Sequence, residues 1–270
     1  MINKLVDLNK LNSKSSFSIH DCLELQKVFS KLSENNDFLL EQINSIDVDH
    51  WNELISSYEH RNNLDKKPVV LLRYSLLEIL LQKEILSLEI IDNIKNKIAS
   101  RFDKDVFKSW KEPYRILYIF LYDRFKERVK KCFTDLITQL QKDLGVTDKT
   151  KFNLVHLDGA QQQGSDEIWF AIYNKSHKNQ KTAKQLFFRI KNEYMYGLHY
   201  HHLNETDTIV TDSYNYEDVL STFKKSVDAI INDNFNTKNK AKNNKEPINF
   251  PLNQILYGPP GTGKTYNTIL

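Results

Sequence analysis

The sequence predicts a mainly α fold followed by α+β: a helical N-terminal half, a small mixed sheet with helices, then the first strand and loop of an incomplete α/β module. Three observations predict it. From about Ser18 to Gln141 apolar residues recur at three- and four-residue spacing, the period of a helix face. After Gly145 the period changes to short runs rich in aromatic and β-branched residues, as strands require. Glycine and proline number only 7 and 6 in 270 residues, which disfavours a turn-dense all-β chain and favours long helices.

In chain order, Leu23, Val28, Phe29 and Leu32 mark the first amphipathic helix, with Ser18 and Asp21 placed to cap it. Asp47 and Asp49 stand before Trp51 in the same way, and Pro68 and Pro113 sit where helices start, since a missing N–H costs least there. Leu71 to Leu81 is a second apolar run. The segment Tyr114–Leu140 carries a stripe from Leu117 through Phe125, Val129 and Phe133 to Leu140, and Gly145 is expected to end it. Trp51 and Trp110 are expected in the core. These elements make a helical domain over 1–145.

Residues 152–155, 168–173, 186–190 and 194–201 are the expected strands, with a turn at Asn192-Glu193. Val219, Leu220, Phe223, Val227, Ile230 and Ile231 predict a closing helix over about 216–233, so 146–234 reads as an α+β domain. Residues 235–248 are Asn- and Lys-rich and bury almost nothing, the composition of a linker.

Composition excludes several classes. At 40% hydrophobic and 27% charged, the chain is neither disordered nor fibrous. Every long apolar run carries charges, such as Arg73, Glu78, Lys83 and Arg115, so no membrane partner is expected and a cytoplasmic chain is. Cys22 and Cys132 lack metal-ligand spacing and read as reduced, buried thiols. The net charge of +3 neither demands nor excludes a polyanion.

One motif is sharp. Gly258-Pro259-Pro260-Gly261-Thr262-Gly263-Lys264-Thr265 fits G-x-x-x-x-G-K-[ST] at every position. Gln254–Tyr257 reads as the preceding strand, and Thr265–Leu270 can open the following helix. Glycines let the backbone turn its N–H groups inward, where they and the helix N-terminus cradle phosphate oxygens. Lys264 would reach the β- and γ-phosphates, and the Thr265 hydroxyl would complete the coordination of a nucleotide-bound Mg²⁺. No acidic strand, water-positioning residue or arginine finger follows before Leu270, so no residue here is expected to be catalytic. Residues 249–270 therefore read as the start of an NTPase module that this stretch of chain alone holds poorly.

The run Tyr257–Tyr266 resembles the start of the AAA+ module in McrB-type proteins, the nucleotide-hydrolysing subunits of modification-dependent restriction systems. The segments Trp169–Tyr173, Gln185–Phe188 and Tyr196–Leu198 look more loosely like stretches ahead of that motor. The resemblance implies a nucleotide site at Gly258–Thr265 with Tyr266, GTP or ATP with Mg²⁺ as cofactor, a homo-hexamer, and an McrC-type nuclease as partner. It also implies an N-terminal region that recognises DNA, often at a methylated base.

A candidate DNA surface lies in 168–192, which holds Lys175, Lys178, Lys181, Lys184, Arg189, Lys191 and His177 and no acidic residue. Concentrated positive charge is what phosphate contact and counterion release need. The competing reading is a solvated connection. Trp169, Tyr173, Tyr194, Tyr196 and Tyr200 are candidates to stack on a base flipped from the duplex. Strand aromatics generally pack in cores, and Trp169 is expected to do so; Tyr173, beside the basic run, is the better DNA contact. His199 and His201 alone can share a strand face, too few ligands for a metal site. Asp158, Asp166 and Glu167 read as a charged loop, and Lys126, Arg128, Lys130 and Lys131 as a solvated helix face. A different class of function also fits: an interaction module that binds a protein or phage component for an AAA+ remodelling ATPase without touching DNA.

Overall fold

Ser18 caps the first long helix. Its hydroxyl accepts the Asp21 N–H while the Asp21 carboxylate accepts the Ser18 N–H, a reciprocal capping box. In a computed structural model that describes residues 8–59, 68–103, 114–159, 162–200 and 205–233, α1 (Leu8–Asn12) precedes this box and α2 (Ile19–Glu34) follows it. Then come α3 (Asn36–Asn44), α4 (Val48–Glu59), α5 (Pro68–Leu81), α6 (Leu88–Ala99) and α7 (Tyr118–Asp143). Pro68 opens α5 as expected. Tyr114 does not open α7: it takes a left-handed φ of 35°, and a 3₁₀ turn at Arg115–Leu117 delays the helix to Tyr118. Gly145 ends the helix at φ 66°, with its N–H on the Lys142 carbonyl and that of Val146 on the Gln141 carbonyl, a Schellman closure.

Five strands follow: β1 (Thr150–Val155), β2 (Ile168–Asn174), β3 (Lys184–Lys191), β4 (Glu193–Tyr200) and β5 (Glu205–Thr211). They form one sheet in the order β1-β2-β3-β4-β5, and α8 (Tyr216–Ile231) comes last. The expected mixed sheet is corrected here, because all four pairings are antiparallel. Connections as short as the single Asn192 cannot make the crossover that parallel strands need. Asn192 turns the chain at φ 61°, and its N–H donates to the Gln26 side chain, whose amide donates in turn to the Asp166 carbonyl. Buried Gln26 thus ties α2 to one end of the sheet, through the loop that enters β2 and the turn between β3 and β4.

The helices and the sheet share one core. Phe170 and Phe188 stack with centroids 5.3 Å apart, Tyr196 continues the row, and Phe133 of α7 meets both phenylalanines edge-on at 6.2 Å. The same buried cluster runs from Leu8 and Leu11 through Phe29, Trp51, Leu76 and Phe125 to Phe223 and Ile230. The described helices from α1 to α7 and the strands with α8 are joined through it, and the chain divides into two units after Asp233. Trp51 is buried, edge-on to Phe120, as expected of it; Trp110 lies outside the described residues.

Cys22 of α2 and Cys132 of α7 are 110 positions apart in the sequence; Cys22 is buried as expected, whereas Cys132 is only half-buried. The neighbouring Cys132 and complete burial push the Cys22 thiol pKa well up. No described helix is long and apolar enough to cross a membrane.

Candidate nucleic-acid interface

Alternation along the strands assigns each residue to a face, and cross-strand partners share it. Ile168, Phe170 and Ile172 join the helix-packed core with Leu186, Phe188 and Ile190. Trp169, Ala171 and Tyr173 point the other way, beside Lys151, Asn153 and Val155 of β1, Gln185, Phe187 and Arg189 of β3, and Met195, Gly197 and His199 of β4. Among the described residues no α-helix packs on this second face. Only the turn between β2 and β3 folds over one end, through Ala183 against Ala171 and Tyr173.

The open end carries an aromatic row. Trp169 and Phe187 are 5.8 Å apart, and Phe187 and His199 are 5.2 Å apart, all tilted and all half-buried. Phe187 stands between Ala171 and Gly197, its cross-strand partners, so two small residues leave room around one large ring. Gly197 is obligatory, since at its φ of 152° a Cβ would lie 2.1 Å from the Asp207 carbonyl oxygen. The result is a shallow hollow of about 260 Å³ lined by Glu167, Trp169, Gln180, Lys181, Gln185, Phe187 and His199. It is smaller than the roughly 300–1,000 Å³ pockets that enclose whole drug-sized ligands, and suits one planar group. The Gln180 amide and the Glu167 carboxylate supply donors and acceptors that can read such a group's edge, while the buried Gln185 amide donates to the Gln180 carbonyl.

The expected basic contacts separate. Lys178 and Lys181 are exposed on the turn, and Lys181 reaches the hollow. Lys175 is exposed too, but its Nζ donates to the Asp148 carbonyl. Arg189 lies on the open face with its guanidinium 4.0 Å from Glu167. Lys184 points to the helix-packed side opposite Tyr200, while its N–H donates to the Asp233 carboxylate at 2.7 Å. Lys191 pairs with Asp166 at 3.3 Å, which also meets Arg115 at 3.4 Å. Lys151, outside the sequence-predicted set, holds its Nζ 5.4 Å above the Tyr173 ring.

The aromatic candidates separate as well. Tyr194, Tyr196 and Tyr200 are buried on the helix-packed face and cannot reach the hollow. Tyr173 faces the open side but is only 5% exposed, under Ala183 and Lys151, and burial raises its pKa. Trp169, expected in the core, is the residue that lines the hollow. The alternation of 168–173 already puts Trp169 and Tyr173 together; which face the helices cover is decided by Phe133, which no local pattern reveals.

The acidic candidates are tied to cations. Asp158 accepts from Lys126 Nζ at 2.8 Å and lies 2.7 Å from His156 Nδ1. Burial favours its neutral form, but His156 and Lys126 outweigh that and hold its pKa below the usual value. Among the described residues no three His, Cys, Asp or Glu gather as metal ligands.

The phosphate-loop residues Gly258, Pro259, Pro260, Gly261, Thr262, Gly263, Lys264, Thr265 and Tyr266 lie outside the described residues, as do His201 and His202. No protein-family model, curated protein or solved structure matches this chain. The chemistry of its own residues carries the reading that follows.

Proposed function

We propose that residues 8–233 recognise DNA through the open sheet face and the β2–β3 turn. One observation carries this reading: an aromatic hollow at Trp169, Phe187 and His199, flanked by Lys181 and Arg189, in a segment without a single acidic residue from Ile168 to Asn192. Aromatic planes stack on bases, exposed lysines take phosphates, and glutamines read base edges. A base turned out of the duplex, methylated or not, is the planar group this hollow would take.

The resemblance of Tyr257–Tyr266 to McrB-type proteins extends the proposal. Residues 249–270 would begin an AAA+ module, with Gly258–Thr265 on the phosphates of GTP or ATP and Thr265 on Mg²⁺. The whole would act as a cytoplasmic hexameric motor of a restriction system and engage an McrC-type nuclease.

Fluorescence anisotropy with labelled duplexes, with and without methylated bases, tests the DNA reading. Affinity should fall steeply with salt, and neutralising both Lys178 and Lys181 should reduce the log–log salt slope by about 2. Trp169→Ala should weaken binding by about 1–3 kcal/mol if a base stacks on it. Failure to bind any duplex at low ionic strength overturns the proposal.

A protein partner is the second reading, favoured by β5. That strand forms one edge of the sheet, with Ile209 45% and Val210 51% exposed, and an exposed edge can pair with an added strand. Such a complex would persist at high salt.

A further inference from the structure

A second cavity, in the helical layer, differs in character from the hollow on the sheet face. It holds about 670 Å³ between α1, α2, α3, α4 and α7, within the range of small-molecule sites. Arg124 of α7 and His50 of α4 both line it. Arg124 is half-buried and lies over the Phe125 ring at 5.2 Å. Its Nε is sealed from solvent without a hydrogen-bond partner, and among the described residues its guanidinium has no carboxylate at ion-pair distance. The charge of Asp47 acts on it only from farther away, partly offsetting the effect of burial. His50 Nε2 is likewise buried without a hydrogen-bond partner, and its Nδ1 is 3.9 Å from exposed Glu53.

A half-buried cation with no carboxylate at ion-pair distance is only partly compensated by Asp47, and a guanidinium offers a fork of donors that matches an oxyanion. The rest of the lining is neither apolar nor uniformly cationic. Asp47, already accepting the His50 N–H at the start of α4, leaves its second oxygen for a hydroxyl, and Gln42 and Asn12 add amides beside Val28 and Phe38. The wall is held in shape from α7. Arg128 donates to the carbonyls of Asn12 and Arg124 and to the Asn12 side chain, tying α1 to the helix that presents Arg124.

We propose that this cavity binds a small organic anion, a phosphate ester or a carboxylate bearing hydroxyl groups, with its oxyanion on Arg124 and His50 and its hydroxyls toward Asp47. The site is independent of the DNA reading and shares no residue with it.

Isothermal titration of the full chain with ribose 5-phosphate, AMP, citrate and inorganic phosphate tests it, and the sugar phosphates against citrate separate the two anion sources. At least one probe should bind, Arg124→Gln should weaken it about tenfold or more, and His50→Gln should weaken it by a smaller factor. Circular dichroism checks the fold of each variant; if Arg124→Gln unfolds the chain, His50→Gln alone decides. Lys131→Ala, exposed on the same helix and outside the cavity, should leave the binding unchanged. Absence of binding by all four probes, or binding untouched by both cavity variants, would each overturn the proposal.

Discussion

His177, fully buried in the turn between β2 and β3, donates its Nε2–H to the main-chain carbonyl of Asp233, 2.6 Å away at the end of α8. The Asp233 carboxylate is 3.2 Å from the same nitrogen and accepts the Lys184 N–H, while the Asn174 side chain donates to the Ile231 carbonyl. A basic, exposed turn is therefore clasped at its base by the last described helix. His177→Ala should cost about 1–3 kcal/mol in urea unfolding, by leaving buried acceptors unsatisfied. If the turn touches DNA, the same variant should also weaken duplex binding although His177 itself is inaccessible.

Asp158 predicts the acid response. Its pKa is depressed in the folded chain by His156 and Lys126 against the opposing effect of burial. A depressed carboxylate contributes stability that is fully present above its unfolded pKa of about 3.9 and is lost as pH falls through the lower folded value. Asp158→Asn should cost about 1.5–3 kcal/mol near neutral pH. The loss should shrink only as pH falls from about 4 through the lower folded pKa, where the wild-type group itself takes up its proton, as pH-dependent urea midpoints would register.

Gly197→Ala should destabilise the sheet severely. The φ of 152° strains any L-residue by about 1–3 kcal/mol, and the added Cβ meets Asp207 and Thr208 backbone as well. A thermal melt should show a loss larger than that of an ordinary surface glycine replacement, and an unchanged melting temperature would contradict the register of β4 with β5.

The shared core predicts one unfolding transition. Trp51 reports on the helices and Trp169 on the sheet, so within each single-tryptophan variant the fluorescence midpoint should coincide with that of far-UV circular dichroism. Phe133→Ala, which removes the ring packed edge-on against Phe170 and Phe188, should lower the fluorescence and circular dichroism midpoints together, at a cost of about 3–5 kcal/mol of stability.

Much of this architecture is legible in the sequence, because helix and strand periods are local. Ser18 and Asp21 announce α2, Gly145 ends α7, and the alternation of 168–173 marks β2. β5 escapes because Glu205-Thr-Asp-Thr-Ile-Val-Thr211 is mostly polar and its two large apolar residues are exposed, as an edge strand permits. The hollow is half legible: Lys178 and Lys181 stand out as charge, but Trp169 rather than Tyr173 lines it, since both sheet faces carry aromatics and only the docking of α7 distinguishes them. The Arg124 cavity is not legible at all, for its walls come from five helices brought together by tertiary packing.

The row of Phe133, Phe170 and Phe188 has a consequence for inheritance. A recombination event that replaced only the helices, or only the strands, would present one half's ring pattern to a foreign counterpart and open voids between them. What can travel between genes with its core intact is the entire stretch ahead of the Asn/Lys-rich tract, rather than its helices or its strands alone.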